Sequence, residues 1–237
     1  MCIFLAINQG QSQFLIPDKP SKPIYPIQDY ANVLSKKEIN TLNKKLIQYY
    51  RKTSTEILVP IVQDLHGEDP NVISQKWGEK WKIGKYYKNN GIVILLSIND
   101  RKISIQNGYG IEPYITDLLT KQIINNIKPY LKKKLYYQAI NSCTDEIFSI
   151  LKNNFIKKNN QKENLNMIFL YGILFIMIMY FLCRRHCMNF SIFDTFMMTH
   201  FFSSNYKNFS ENEDSFDGFG DGGNFGGGGS SEKWDDN

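Results

Sequence analysis

The sequence predicts an α/β protein: a three-layer α/β/α sandwich with a small mixed sheet, followed by a single transmembrane helix and a disordered Gly-rich tail. Three observations lead to this class. Segments with helical periodicity alternate with few strands, and one strand, GIVILLSI, is apolar throughout, as expected of a strand covered on both faces. A charge-free apolar run of 17 residues lies further on. Glycine and acidic residues dominate the end of the chain.

The first half of the predicted domain contains two helices and a strand. LSKKEINTLNKKLIQYYRKT has a capping box, because Ser35 is followed by Glu38 three residues later, and its apolar residues recur at helical spacing. EILVPIVQ is a strand in which Pro60 favours an edge position or a bulge. PNVISQKWGEKW is the second helix, since proline is tolerated in a first helical turn.

The second half contains a hairpin and two more helices. GIVILLSI is followed by Asn99 and Asp100, a turn that leads into RKISIQNG, whose alternating pattern indicates an antiparallel partner strand. TDLLTKQIINNIKPYLKK and LYYQAINSCTDEIFSILKNN are the last two helices. We expect the domain to end near Asn154.

Outside this domain the character of the sequence changes several times. The first sixteen residues are apolar at the start but lack a basic region, so they resemble a remnant of a secretory signal. The charge-free run is the predicted transmembrane helix, since about 17 to 25 apolar residues span a bilayer. The predicted divisions are a signal-like segment and Pro-rich lead-in at 1–24, the domain at 25–154, a polar linker at 155–166, the transmembrane helix at 167–183, a juxtamembrane segment at 184–210 and a disordered acidic tail at 211–237.

The net charge of +5 is unevenly distributed along the chain. Eight acids and one lysine lie in residues 211–237, which leaves residues 1–210 with a net charge of +12. The lysines are scattered among asparagines and isoleucines, and no reading motif is present, so we expect no nucleic-acid partner. The four cysteines supply no disulfide framework for the domain, and CRRHC has too few ligands to close a zinc shell.

The stretch NGYGIEPYITD, residues 107–117, holds the main candidate site. It matches only the first half of the dinucleotide-binding pattern G-x-G-x-x-G, because Pro113 replaces the third glycine and Glu112 stands where an anion would bind. We therefore expect no nucleotide cofactor. Thr116 is a good N-cap, and Asp117 complements the dipole of the helix that follows. The helix start gives no reason for Glu112.

Loop carboxylates from several element ends are the ligands that a hard cation requires. Asp29, Asp100, Glu112 and Asp117 are such residues, and they suit calcium, which takes about six to eight oxygen ligands. A cation held there would also polarise a phosphoryl group. From the residues alone, two interpretations stay open: one shared metal site, or separate solvated acids.

Three stretches together resemble the TPM domain, a family named for a thylakoid lumen protein, a photosystem II repair protein and a modulator of acetylcholine receptors. They are DYANVLS at 29–35, WKIG at 81–84 and NNGIVILLSINDRKISIQNGYGIEPYITD at 89–117. The layout also resembles the bacterial membrane-anchored members with a glycine-rich C-terminal tail. The resemblance implies an α/β sandwich, calcium binding and, in plant members, a weak acid-phosphatase activity. Carried over by position, it implies functional roles for Asp29, Asp100, Glu112 and Asp117, with Arg101 beside them.

Two functional hypotheses follow. In the first, a single-pass membrane protein carries its TPM domain on the extracytoplasmic side, binds calcium through metal ligands Asp29, Asp100, Glu112 and Asp117, and assists the assembly, repair or modulation of membrane protein complexes. In the second, the chain is a metal-assisted acid phosphatase, in which Asp100, Arg101 and Asp117 are catalytic. Both give the membrane and other membrane proteins as partners.

Overall fold

The structure is a computed structural model that describes residues 13–21, 23–184 and 218–235; for residues 154–170 and 180–184 it describes the backbone alone. Within these ranges the chain forms five strands and four helices. In chain order they are β1 (Ile27–Asp29), α1 (Lys36–Thr53), β2 (Glu56–Val62), α2 (Pro70–Trp81), β3 (Gly91–Ser97), β4 (Lys102–Gly108), α3 (Asp117–Lys132), α4 (Tyr136–Arg184) and β5 (Phe225–Lys233).

The strands form one mixed sheet in the order β1-β2-β3-β4-β5. The first three strands are parallel, β4 is antiparallel to β3, and β5 is antiparallel to β4. The predicted α/β class with a mixed sheet is therefore confirmed, as is the hairpin of β3 and β4. Pro60 does not mark an edge strand, because the three-residue β1 pairs with β2 on its outer side.

Side chains on the two faces of the sheet enter two separate hydrophobic cores. Along β2, Ile57, Val59 and Ile61 point to one face, and Leu58 and Val62 point to the other. Residues of α1, α3 and α4 complete the first core, whereas α2 and the lead-in complete the second. This alternation, with its period of two, produces the predicted three layers.

Helix starts follow the sequence signals closely. In the capping box, the Ser35 Oγ accepts the Glu38 N–H at 3.3 Å, and the Glu38 carboxylate accepts the Ser35 N–H at 2.8 Å. Asp69 caps α2, and Thr116 caps α3. These caps satisfy N–H groups that have no partner within the helix.

The prediction of a disordered tail over 211–237 is wrong for residues 218–235, which we call the C-terminal segment. It pairs with β4, and its Phe219, Phe225 and Trp234 are each at most 3% exposed. Burying each aromatic side chain stabilises the docked state by about 2 kcal/mol. Composition alone suggested disorder because the pockets for these rings belong to other elements.

The lead-in is also packed rather than merely extended. Ile16 and Ile24 are buried in the second core, and the Trp81 indole N–H donates to the Pro17 carbonyl at 3.0 Å. The signal-like interpretation falls mainly on residues 1–12, which lie outside the described part of the chain.

The chain divides into two units, one formed by residues 1–152 with 215–237 and the other by residues 153–214. The described part of the second unit is the C-terminal portion of α4, so the backbone of the predicted linker at 155–166 is helical. No helix among the described residues is long and apolar enough to cross a membrane. The transmembrane helix at 167–183 thus stays a prediction, and the juxtamembrane segment beyond α4 lies outside the described residues.

Candidate functional site

Asp29 stabilises the turn that leads from β1 into α1. Its carboxylate accepts the Ala31 N–H at 3.2 Å and the Leu34 N–H at 2.9 Å. The backbone of Asn32, within this turn, has a positive φ of 55°. A short acidic side chain that bonds the backbone ahead of it is a common device for holding such turns.

Asp100 lies in the turn between β3 and β4 and ties it to the loop after β2. Its Oδ2 accepts the Leu65 N–H at 2.7 Å and the Ser97 hydroxyl at 2.5 Å. Leu65 lies in the loop that follows β2, and Ser97 is the last residue of β3, so both donors lie at the carboxyl ends of parallel strands. The contacts of this carboxylate are therefore structural.

Arg101 is exposed and forms an ion pair with the C-terminal segment. Its guanidinium lies 2.6 Å from the Asp235 carboxylate, which raises the pKa of Arg101. Its carbonyl accepts the Trp234 N–H at 3.0 Å. The predicted catalytic arginine thus contacts the two residues that follow β5 through both its side chain and its backbone.

Glu112 and Asp117, which we call the acidic corner, contact two consecutive residues of β5. The Gly228 N–H donates to Glu112 Oε1 at 3.3 Å, and the Gly229 N–H donates to Asp117 Oδ1 at 2.8 Å. Here β5 departs from regular pairing, because Gln106 opposes Gly229 whereas Gly108, two residues on, opposes Phe225. Gly228 lies within this bulge and donates its N–H to Glu112, and Gly229, the paired residue at the border of the bulge, donates its N–H to Asp117.

The glycines of the Gly-Tyr-Gly corner allow two backbone segments to approach closely. A Cβ on Gly108 would lie 2.4 Å from the Asn89 carbonyl oxygen, and one on Gly110 would lie 1.8 Å from the Lys88 carbonyl oxygen. The Gly110 N–H donates to the Asn89 carbonyl at 3.0 Å. The corner is thereby fixed against the loop before β3, and it aims Glu112 at β5.

The four predicted metal ligands fall into two pairs at opposite ends of the sheet. Asp29 is the last residue of β1 and Asp100 follows the carboxyl end of β3, whereas Glu112 and Asp117 follow the carboxyl end of β4, which runs the other way. A seven-residue strand separates such ends by about 20 Å. The described residues contain no group of three or more His, Cys, Asp or Glu that could hold a metal ion. The prediction that these acids converge is therefore corrected.

The same separation divides the predicted catalytic residues. Asp100 and Arg101 lie at one end of the sheet and Asp117 at the other. The cleft beside Arg101 is lined instead by Asn99, Tyr136 and Asp235 among others.

One buried acid escaped the sequence analysis. Glu56 is fully buried at the start of β2, where its Oε2 accepts the Gly84 N–H at 2.7 Å and the Gly220 N–H at 3.0 Å. Among the described residues its Oε1 has no hydrogen-bond partner, and the Lys85 Nζ lies 3.7 Å away and also contacts Asp221. Burial raises the pKa of Glu56. The sequence did contain a signal for this residue: Glu56 is a charged residue at the start of an otherwise apolar strand.

The structure is an α/β domain whose acidic corner binds the backbone of a glycine-rich strand. The sequence profile of the TPM domain matches residues 27–150, which is more than half of the chain. This chain belongs to the TPM domain family. No curated protein sequence matches it.

Solved structures from bacteria are similar to this chain. The N-terminal domain of a protein from P. gingivalis has a TM-score of 0.51 at 21% identity, over 55% of this chain and 83% of that domain, a likeness that shows the fold. The N-terminal domain of the cg2496 protein from Corynebacterium glutamicum has a TM-score of 0.44 at 17% identity, over 58% of this chain and 86% of that one. The BA42 protein from Bizionia argentinensis has a TM-score of 0.46 at 18% identity, over 52% and 85%.

Proposed function

We propose that this TPM-domain protein is a binding protein that assists the assembly, repair or modulation of membrane protein complexes by holding an extended peptide segment. The binding surface is the edge of β4 together with the acidic corner. One observation carries the proposal: Glu112 and Asp117 accept the N–H groups of two consecutive residues, Gly228 and Gly229.

The chemistry of this surface suits an extended backbone. A strand that adds to a sheet edge gains its affinity from main-chain hydrogen bonds, and pockets for alternate side chains give specificity. Hydrogen bonds from N–H groups to carboxylates are about twice as strong as those between neutral groups. At the bulge, where the ladder with β4 is interrupted, the acidic corner supplies the missing acceptors.

The arrangement gives less support to the acid-phosphatase alternative. A shared phosphate would need Asp100, Arg101 and Asp117 around one point, and these residues lie at the two ends of the sheet. Asp100 already accepts two hydrogen bonds, and Arg101 is paired with Asp235. We therefore place binding ahead of hydrolysis.

A divalent cation, with calcium as the best match to carboxylate ligands, belongs to the proposal as a competitor for the acidic corner. Glu112 and Asp117 supply two carboxylates, and a cation there would take its remaining ligands from water. Because the same oxygens accept the Gly228 and Gly229 N–H groups, we expect millimolar calcium to weaken the docking of an extended segment.

Membrane association through 167–183 and an extracytoplasmic TPM domain complete the proposal. A single span there would leave residues 218–235 across the bilayer from β4, so the docked state requires that this run associate with the membrane without crossing it. The association rests on the charge-free apolar run at 167–183 in the sequence. Protease added to intact cells would digest the TPM domain if it faces outward, and would leave it intact if it faces the cytoplasm.

The experiment measures binding of a fluorescent synthetic peptide of the C-terminal segment to the full chain in mild detergent. Gly229→Ala in the chain weakens its own β5 and opens the edge, so we expect this variant to bind the peptide at least about tenfold more tightly than the unaltered chain. Adding Glu112→Ala and Asp117→Ala should remove most of that gain. Asp145→Ala, an acid on α4 paired with Lys45, is the matched control and should not.

Two further readouts use the same samples. Calcium at millimolar concentration should reduce peptide binding relative to EDTA, and turnover of a chromogenic phosphate monoester should be absent. Equal peptide binding with and without the acidic corner would contradict the proposal, whereas turnover lost in Asp117→Ala would support the phosphatase.

A further inference from the structure

Three aromatic anchors hold the C-terminal segment in pockets built by the rest of the domain. Phe219 and Phe225 enter the second core, and Trp234 enters the first. The Phe225 ring fills a space that exists only because Gly78 and Gly91 lack side chains: a Cβ there would lie 2.4 Å and 3.1 Å from the ring. An occupant of this edge must therefore bring aromatic residues at matching positions.

The site also selects glycine at three positions between these anchors. A Cβ on Gly226 would lie 2.2 Å from the Tyr109 ring, one on Gly228 would lie 2.6 Å from the Glu112 carboxylate, and one on Gly229 would lie 2.2 Å from the Ile105 carbonyl. The last contact is with backbone, which cannot move aside as a side chain can.

Ion pairs also hold the C-terminal end of β5 to the rest of the domain. Glu232 lies 2.6 Å from Lys128 and 3.4 Å from Lys121, and Asp235 pairs with Arg101. The hydrogen bond from Lys128 lowers the pKa of Glu232. A fitting strand is thus glycine-rich between aromatic anchors and acidic at its end, and this chain itself contains one in FGGGGSSEKWD.

The connection between the segment and its site is long. Residues 153–217 separate the first part of the domain from Gly218, a tether of 65 residues. Residues 153–184 of this connection continue helix α4, so it is not a flexible loop throughout; it gives the segment a finite effective concentration at its own edge. A copy of the segment from a second molecule would form the same contacts, so only this concentration term separates the two arrangements.

We propose that the C-terminal segment is exchanged between copies of this chain, so that β5 of one molecule completes the sheet of another. This inference rests on the proposed function and names the partner: a second copy. At local concentrations near the effective concentration of the tether, exchange links TPM domains without any new interface.

The test traps the exchange by a disulfide in the full chain. Ser104 in β4 lies opposite Ser231 in β5, and directly opposed side chains have Cβ atoms about 4.5 to 5.5 Å apart, which a disulfide bridges after a small shift. One variant carries Ser104→Cys and the other Ser231→Cys. Both are made in a background with Cys2→Ser, Cys183→Ser and Cys187→Ser; Cys143 is buried and is kept.

The two single variants are mixed at about 100 μM in mild detergent, oxidised and separated without reductant. We expect disulfide-linked dimer to accumulate with time, because oxidation traps each exchanged pair as it forms. Replacing Ser231→Cys by Ser230→Cys, which faces the opposite side of the sheet, should leave no dimer.

A double variant with both cysteines in one chain distinguishes the possible failures. Rapid intramolecular oxidation of Ser104→Cys/Ser231→Cys, with no dimer from the mixed single variants, would overturn the exchange and leave the proposed function intact. No oxidation in the double variant would mean that β5 does not pair with β4, and both proposals would fail. Dimer from the mixture together with oxidation in the double variant is the result that we expect.

Discussion

Glu56 accepts the N–H of Gly220 at 3.0 Å, although 164 positions separate the two residues in the chain. The same carboxylate oxygen accepts the Gly84 N–H at 2.7 Å. One buried acid thus joins the start of β2, the loop after α2 and the C-terminal segment. This contact lies at the end of the sheet where β2 and β3 begin and β4 ends, the same end as the acidic corner. Arg101 holds the segment at the other end through its ion pair with Asp235.

The buried carboxylate of Glu56 makes stability depend on pH. Burial raises its pKa above the ordinary value of 4.5, while the Gly84 and Gly220 N–H groups and Lys85 oppose the shift and Asp221 adds to it. Because the folded state holds the proton more tightly, this contribution is fully present below pH 4.5 and is lost as pH rises through the folded pKa.

We therefore expect Glu56→Gln, which carries no charge, to gain stability relative to the unaltered chain as pH rises from about 4.5 to 8. Urea denaturation of both proteins across this range measures the difference. Parallel stability curves would show that Glu56 does not titrate with folding.

Gly229→Ala should release β5 from its edge. The glycine has a φ of +150°, and a Cβ would lie 2.2 Å from the Ile105 carbonyl oxygen. We expect a loss of about 2 kcal/mol in the docking of the segment, the order typical of backbone and steric strain. Hydrogen exchange of the β4 amides measures it. Gly172→Ala is the matched control, because no atom in the described part of the chain lies within 4 Å of its Cβ.

Gly78 and Phe225 should be coupled in a double-mutant cycle. Gly78→Ala puts a Cβ 2.4 Å from the Phe225 ring, so we expect it to weaken docking of the segment by about 1 to 3 kcal/mol, the range for overpacking. Phe225→Leu frees space and should recover part of this loss in the Gly78→Ala background. Denaturation of all four chains measures the coupling. If the effects of the two substitutions on the free energy of unfolding are additive, the Phe225 ring does not contact Gly78.

Asp100 should behave as a structural residue. Asp100→Ala removes the acceptor of the Leu65 N–H and the Ser97 hydroxyl, which we expect to cost about 2 kcal/mol of unfolding free energy. Peptide binding at the acidic corner should stay unchanged, since that corner lies at the other end of the sheet. If the Asp100→Ala variant folds normally but no longer binds the peptide, Asp100 and the acidic corner belong to one shared site.

Local signals predicted most elements of the fold. The capping box of Ser35 and Glu38, the apolar β3 and the turn at Asp100 each depend on neighbours in sequence, and each is present. The mixed sheet followed from the same observations. Pro60 misled because a three-residue strand, too short to recognise in the sequence, covers the outer side of β2.

The candidate site was harder to predict because it depends on strand direction and on distant residues. The hairpin, correctly predicted, already implied that residues after β4 lie away from the turn, so Glu112 could not meet Asp100. The partners of the acidic corner, Gly228 and Gly229, lie more than 100 residues further along the chain. Their glycine-rich composition suggested disorder, whereas the burial of Phe225 and Trp234 in pockets of the domain accounts for their order.

The most direct test of the central claim is amide hydrogen exchange at Gly228 and Gly229 in the full chain, followed by NMR with glycine-selective ¹⁵N labelling. We expect both amides to be protected, and both to exchange at least about tenfold faster in the Glu112→Ala/Asp117→Ala variant, since each loses a hydrogen bond to a charged group. Unprotected glycine amides in the unaltered chain, or equal protection in the variant, would contradict the claim that the acidic corner binds an extended backbone.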